Sequence, residues 1–241
     1  MRNHITGNIY HILSRGVDKR KIFLDDRDHL RFIHDLFEFN DTNPISNINY
    51  FFQQNHKSTT KQQYTAIARR YIEPSERKAR KLLIELLAFT LMPNHYHLLI
   101  KPRFDNGISK FMKRLNMGYA RYFNEKYERS GALFEGRYKS IAINTEPHFL
   151  HIPYYIHSNP LDLYIPEWRE RKIKNHSLAM KFLKQYRWSS FSDYINIKNF
   201  PSVTQRDFLL NFYGGTEEYK KYISTWMQDI NIEDFKKLTL E

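Results

Sequence analysis

Hydrophobic positions along this chain repeat with two different periods. Ile9-Tyr10-His11-Ile12-Leu13-Ser14-Arg15 is an extended, largely apolar run that predicts a first strand. Gly16 to Arg20 reads as a turn, and Lys21-Ile22-Phe23 continues extended. Asp25 or Asp26 is placed to cap a helix running to about Phe39, with Leu30, Ile33, His34 and Phe37 near one face. Leu82–Phe89 and His95–Lys101 are two apolar runs joined by Met92-Pro93-Asn94, the pattern of an antiparallel strand pair. From Ile108 to about Tyr127 the period becomes helical, with a stripe of Phe111, Leu115, Tyr119 and Tyr122 or Phe123. Asp105-Asn106-Gly107 precedes this helix and Ser130-Gly131 ends it. Leu133–Ile143 predicts a further strand with Glu135, Arg137 and Lys139 on one face. A last helix starts at Asn144-Thr145-Glu146-Pro147 and runs to Asn159, stopped by Pro160, with Pro153 expected to kink or restart it.

The order β, α, β, β, α, β, α describes an α+β domain on an antiparallel sheet, compatible with a ferredoxin-like core. Between the first helix and the second strand lies a polar stretch, 41–81, read as a basic insertion that turns helical from about Tyr64 to Arg80. After Leu161 the pattern is loop-like. Tyr186–Phe191 marks a compact segment, and Phe208–Trp226 predicts a small helical tail. We divide the chain into 1–194, containing the insertion, and a helical C-terminal extension, 195–241.

Composition narrows the function. The 241 residues are 41% hydrophobic, enough for a substantial core, and contain no Cys. Disulfides, zinc ribbons and thiol catalysis are excluded, and a reducing cytoplasm is the expected setting. No long apolar run occurs, so neither a signal peptide nor a membrane span is expected. Formal net charge is +12 and unevenly spread. Residues 101–140 hold ten Lys/Arg against four acids, and 41–81 hold eight against three. Concentrated positive charge points to a polyanion, and interleaved aromatics suit stacking on unpaired bases.

Two constellations carry chemistry. His95 and His97 are two apart in the best strand, so both project from one face, where two imidazoles can share a metal ion, while Tyr96 and Leu98 face the other way. Tyr155 and Asn159 are four apart on a predicted helix and share a face. A phenol can attack phosphorus as a covalent nucleophile, and an amide oxygen is a hard ligand for Mg²⁺ or Mn²⁺. Tyr154 is about 100° round the helix from Tyr155 and would not share a face with Asn159.

These residues lie in five blocks: Tyr10-His11-Ile12 with Arg15-Gly16; Leu91-Met92-Pro93-Asn94-His95-Tyr96-His97-Leu98-Leu99; Gly131 to Ser140; Tyr155-Ile156-His157-Ser158-Asn159-Pro160; and Tyr186-Arg187-Trp188-Ser189-Ser190. In that order the chain resembles the HUH single-tyrosine transposases, most closely the REP-associated branch. The resemblance implies a ferredoxin-like catalytic domain over about 8–194 and a nucleophile at Tyr155. It implies a metal site at His95, His97 and Asn159 for Mg²⁺ or Mn²⁺. The implied partner is single-stranded DNA with hairpins or imperfect palindromes, cut through a 5′-phosphotyrosine link. The DNA contacts expected are Arg15, Lys110, Lys113, Arg114, Arg121, Arg137 and Lys139, with binding that weakens steeply as salt rises. The protein is expected in a bacterial-type cytoplasm, associated with the nucleoid, as monomer or homodimer. Three other readings remain open on the sequence. One is a non-catalytic hairpin binder derived from a transposase. A second is a replication-initiator-like nickase, in which Lys rather than Asn commonly stands four residues after the tyrosine. The third is a metal-dependent hydrolase using Glu85 or Glu135.

Overall fold

The computed structural model describes residues 4–43, 79–170 and 173–229. Most of the segment read as an insertion, including the helix expected from Tyr64, lies outside the described residues.

A four-stranded sheet organises the rest. Its strands are β1 (Ile9–Arg15), β2 (Ile84–Met92), β3 (His95–Pro102) and β4 (Lys139–Ile143), in the spatial order β2-β3-β1-β4 with every pair antiparallel. α1 (Asp26–Glu38) joins β1 to β2, and α2 (Gly107–Lys126) joins β3 to β4. This is the β-α-β-β-α-β ferredoxin-like order expected from the alternation of periods. Pro93-Asn94 forms the two-residue turn of the β2–β3 hairpin.

Because successive strand residues alternate faces, the sheet has two different sides. On one side Tyr10, Ile12, Tyr96, Leu98 and Ile100 pack against α1 and α2. Asp25 caps α1 in a reciprocal box with Asp28, and α1 buries Phe32, Ile33 and Leu36, whereas Leu30, expected in that stripe, is exposed. The stripe of α2 is as expected: Phe111, Leu115, Tyr119, Tyr122 and Phe123 are all buried. On the other side lie His11, His95, His97 and Leu99, covered by α3 (Glu146–Ser158). Thr145 caps α3 and Pro147 stands in its first turn. Pro153 does not interrupt the helix, which runs unbroken through it. From Ile152 to Leu161 every residue is buried, so neighbours on both flanks hold this turn in helical form despite the missing N–H.

Two further differences have physical causes. β4 begins only at Lys139, because Leu133 to Tyr138 leave the ladder; a single bridge, Gly16 to Phe134, holds this stretch to the end of β1. The region after Leu161 is not a loop. It makes two 3₁₀ turns, Asn159–Leu163 and Pro166–Glu170, and then α4 (His176–Gln185), capped by Asn175. Next come the short α5 (Phe191–Tyr194), α6 (Asp207–Tyr213) and α7 (Thr216–Asp229). Leu209, Tyr213, Tyr219, Ile223 and Trp226 of these last helices share one core with Ile152, Tyr154 and Ile156 of α3.

The outer edge of β2 is paired by later chain. Leu91 N–H donates to Trp188 O at 2.8 Å, Ser190 N–H to Phe89 O at 3.0 Å, and Gln205 N–H to Leu86 O at 2.9 Å. Among the described residues no helix is long and apolar enough to cross a membrane.

Candidate active site

The two-residue period of β3 places His95 and His97 on one face, with ring centroids 5.0 Å apart. Tyr96 and Leu98 point into the opposite core, as expected. Both imidazoles are held at Nδ1. His95 Nδ1 lies 2.7 Å from Asn94 Oδ1; an amide oxygen only accepts, so Nδ1 carries the proton and Nε2 the lone pair. His97 Nδ1 lies 2.8 Å from Nε2 of His11, which reaches it diagonally from β1. A ligating imidazole almost always has its second ring nitrogen fixed in this manner, which orients the ring and sets the tautomer.

α3 lays Tyr155 across these rings. Its ring centroid is 5.9 Å from that of His97 at 89°, and 6.1 Å from that of His11 at 78°. Tyr154 goes elsewhere, to Tyr213 and Tyr219, each 5.1 Å away, so the 100° step along the helix separates a tyrosine on the histidine face from one in the helical core. Asn159 follows one turn after Tyr155. Its Nδ2 donates to Tyr155 O at 2.9 Å, and its Oδ1 accepts from Arg169 Nη2 at 3.3 Å.

The end of α3 is secured by a substitute bond. Pro160 has no N–H for the carbonyl of Ile156, four residues earlier. The hydroxyl of Thr90, opposite His97 in the sheet, donates to that carbonyl at 2.7 Å.

Arg169 was not visible in the sequence pattern. It donates Nη1 to the hydroxyl of Tyr155 at 3.1 Å, and its Nε and Nη2 grip Asp162 at 2.8 and 2.7 Å. Asp162 also accepts from the indole of Trp168 at 2.6 Å. Tyr155 is sealed at 1% exposure, whereas the Arg169 side chain is 25% exposed.

The expected DNA contacts fall into two groups. Arg15 is opposite His95 in the ladder, and Lys139 is opposite Leu13, itself opposite His97, so both share the histidine face. Arg15, Arg137 and Lys139 line one hollow with Glu135 and Gly136. Lys110, Lys113, Arg114 and Arg121 are on α2, in the layer behind the sheet; Arg114 donates to the carbonyls of Asp41 and Thr42. Neither glutamate weighed for a hydrolase joins the histidines: Glu85 pairs with Arg103 at 3.1 Å and Glu135 faces the Arg15 hollow. Among the described residues no three His, Cys, Asp or Glu side chains converge on a metal position. The residues that could hold a divalent ion are His95 and His97, each with Nδ1 already engaged, and Asn159, whose amide oxygen accepts one bond from Arg169.

Comparison with known proteins bears on the family. Residues 45–159 match the model of the family described as IS200-like transposase, a match that begins inside the segment read as an insertion and ends at Asn159. The match covers just under half of the chain, so over that span the chain is similar to the IS200-like transposases, in keeping with the resemblance to single-tyrosine transposases. A solved structure of a REP-associated tyrosine transposase bound to a REP hairpin aligns with 84% of this chain and 87% of its own, with a TM-score of 0.48 and 13% identity. No curated protein matches the chain.

Proposed function

We propose that this protein cuts and rejoins single-stranded DNA at hairpin or palindromic sites through a 5′-phosphotyrosine intermediate, as a transposase of the REP-associated type. The observation that carries this reading is Tyr155 lying against His97 of its own chain, with Asn159 one helical turn away. The tyrosine is accordingly read as acting on its own subunit's site.

In this mechanism the Tyr155 oxygen attacks the scissile phosphorus. The bond from phosphorus to the 3′ oxygen breaks, the phenol proton is lost, and the departing oxygen takes up a proton to become a 3′-OH. The phosphotyrosine keeps the linkage energy, so a new 3′-OH reverses the step without ATP. A Mg²⁺ or Mn²⁺ ion held by His95, His97 and Asn159 would supply Lewis-acid polarisation of the phosphate. Arg15, Arg137 and Lys139 would bind backbone phosphates beside the histidines, and the α2 cations would hold DNA that passes to the far layer.

The test uses 3′-end-labelled hairpin oligonucleotides from palindromes flanking the gene, incubated with Mg²⁺ or Mn²⁺ and run on a denaturing protein gel. Label is expected to stay with the wild-type protein and to vanish with Tyr155→Phe and His95→Ala. Tight, salt-sensitive binding with no adduct across several hairpins would replace this reading with that of a hairpin binder.

A further inference from the structure

The guanidinium of Arg169 bridges three groups at once. It donates to the hydroxyl of Tyr155, the amide oxygen of Asn159 and both carboxylate oxygens of Asp162. Its plane also lies 5.0 Å from the ring centre of Trp168, whose N–H shares Asp162. An ion pair that served only to pin two 3₁₀ turns would need Asp162 alone. Here the pair is instead oriented so that the guanidinium also reaches Asn159, just past the end of α3, and Tyr155 within it, ten and fourteen residues earlier in the chain.

We propose that Arg169, immobilised by Asp162, is a positioning residue for the nucleophile, fixing the Tyr155 hydroxyl relative to Asn159 and the histidine face. This rests on the strand-transfer reading above. The phenolic oxygen lies on the axis of the Tyr155 ring, so its position follows the two side-chain torsions, and a donor anchored on that oxygen restrains both at the point furthest from the helix. In-line attack needs that oxygen placed to within a fraction of an ångström, and a misplacement of about 1 Å can cost about 100-fold in rate. A planar fork of donors on a rigid carboxylate supplies the constraint, while lysine, a single point of charge, supplies it only in part.

The experiment compares wild type with Arg169→Gln, Arg169→Lys and Asp162→Asn. Adduct formation is followed in a single turnover at saturating hairpin DNA with Mg²⁺, and hairpin affinity is measured separately by anisotropy in EDTA. Arg169→Gln is expected to slow adduct formation about 100-fold with affinity nearly unchanged. Arg169→Lys should recover part of the rate, and Asp162→Asn should lose about tenfold. Equal losses in rate and affinity would overturn the proposal in favour of a plain DNA contact. A faster Arg169→Gln enzyme would overturn it in favour of a latch that holds the tyrosine back. An unchanged rate would leave Arg169 a packing residue. A second readout is independent of catalysis: the ¹³C-labelled ring signal of Tyr155, assigned with Tyr155→Phe, should shift or broaden in Arg169→Gln and Asp162→Asn. If wild type forms no adduct with any hairpin, the strand-transfer reading fails by itself, and an unmoved Tyr155 signal would then overturn the positioning role as well.

Discussion

His157, two residues beyond Tyr155, shows how differently neighbouring side chains of one helix are used. It is fully buried, with Nδ1 2.7 Å from the Tyr219 hydroxyl and Nε2 2.8 Å from Ser190 Oγ. It thereby ties α3 to both α7 and the β2 edge. Burial holds its pKa down at about 3, because the imidazolium would lose its hydration. The unfolded chain takes a proton near pH 6.5, while the folded chain refuses it until about pH 3. The stability contributed is complete above pH 6.5 and falls as pH drops through that window, by about 1.4 kcal/mol per pH unit. Denaturant titrations at pH 7, 6, 5 and 4 should show that slope in wild type and a shallower one in His157→Gln. Equal slopes would remove His157 as the cause. At this scale the legible residues are those governed by local period. His95 with His97, and Tyr155 with Asn159, follow from strand and helix geometry alone. His11 and Arg169 reach the site across a ladder and through two 3₁₀ turns, and no short-range spacing encodes those meetings.

Elements were most legible where an apolar stripe and its caps agreed, as in α2 and the β2–β3 hairpin. They were least legible where tertiary contacts override local rules. Pro153 reads as a break, yet α3, buried from Ile152 to its end, continues through it. α4 has a short amphipathic pattern that its polar surroundings mask, and β4 is shortened because Gly136 and its neighbours swing out to form the Arg15 hollow. The turn after β1 yields a sharp test. A Cβ on Gly16 would collide with the carbonyl oxygen of Arg20 and come within 2.8 Å of Ile22 Cγ2. Gly16 N–H also donates to Asn94 O at 2.8 Å, beside His95. Gly16→Ala should therefore cost about 1–3 kcal/mol, read by chemical denaturation, and, on the proposed function, weaken hairpin binding through the displaced Arg15. A stability change within about 0.5 kcal/mol would mean that the turn relaxes without strain.

For the whole molecule, the sheet has two cores, and the one beneath the candidate site is completed by the last helices. Tyr154 packs against Tyr213, Tyr219 and Trp226, so removing 195–241 would strip cover from the helix that carries Tyr155. A chain ending at Tyr194 should lose its cooperative thermal transition and bind hydrophobic dyes. A transition within a few degrees of the full-length protein would show that the extension is dispensable. This dependence was not readable in the sequence, where Phe208–Trp226 looks like an appended tail; the aromatic residues that make it integral are partnered only in three dimensions.

The pairing along the outer margin of β2 has a consequence for how the protein is made. Phe89 N–H donates to the hydroxyl oxygen of Ser190, 101 positions further along the chain. While the polypeptide emerges from the ribosome, a strand as apolar as any in the molecule therefore waits with a row of amide and carbonyl groups open to other nascent chains. Solubility during synthesis hinges on the late arrival of Trp188 to Gln205, and products that terminate between Arg169 and Trp188 should collect in inclusion bodies even though Tyr155, Asn159 and the histidine pair are already present.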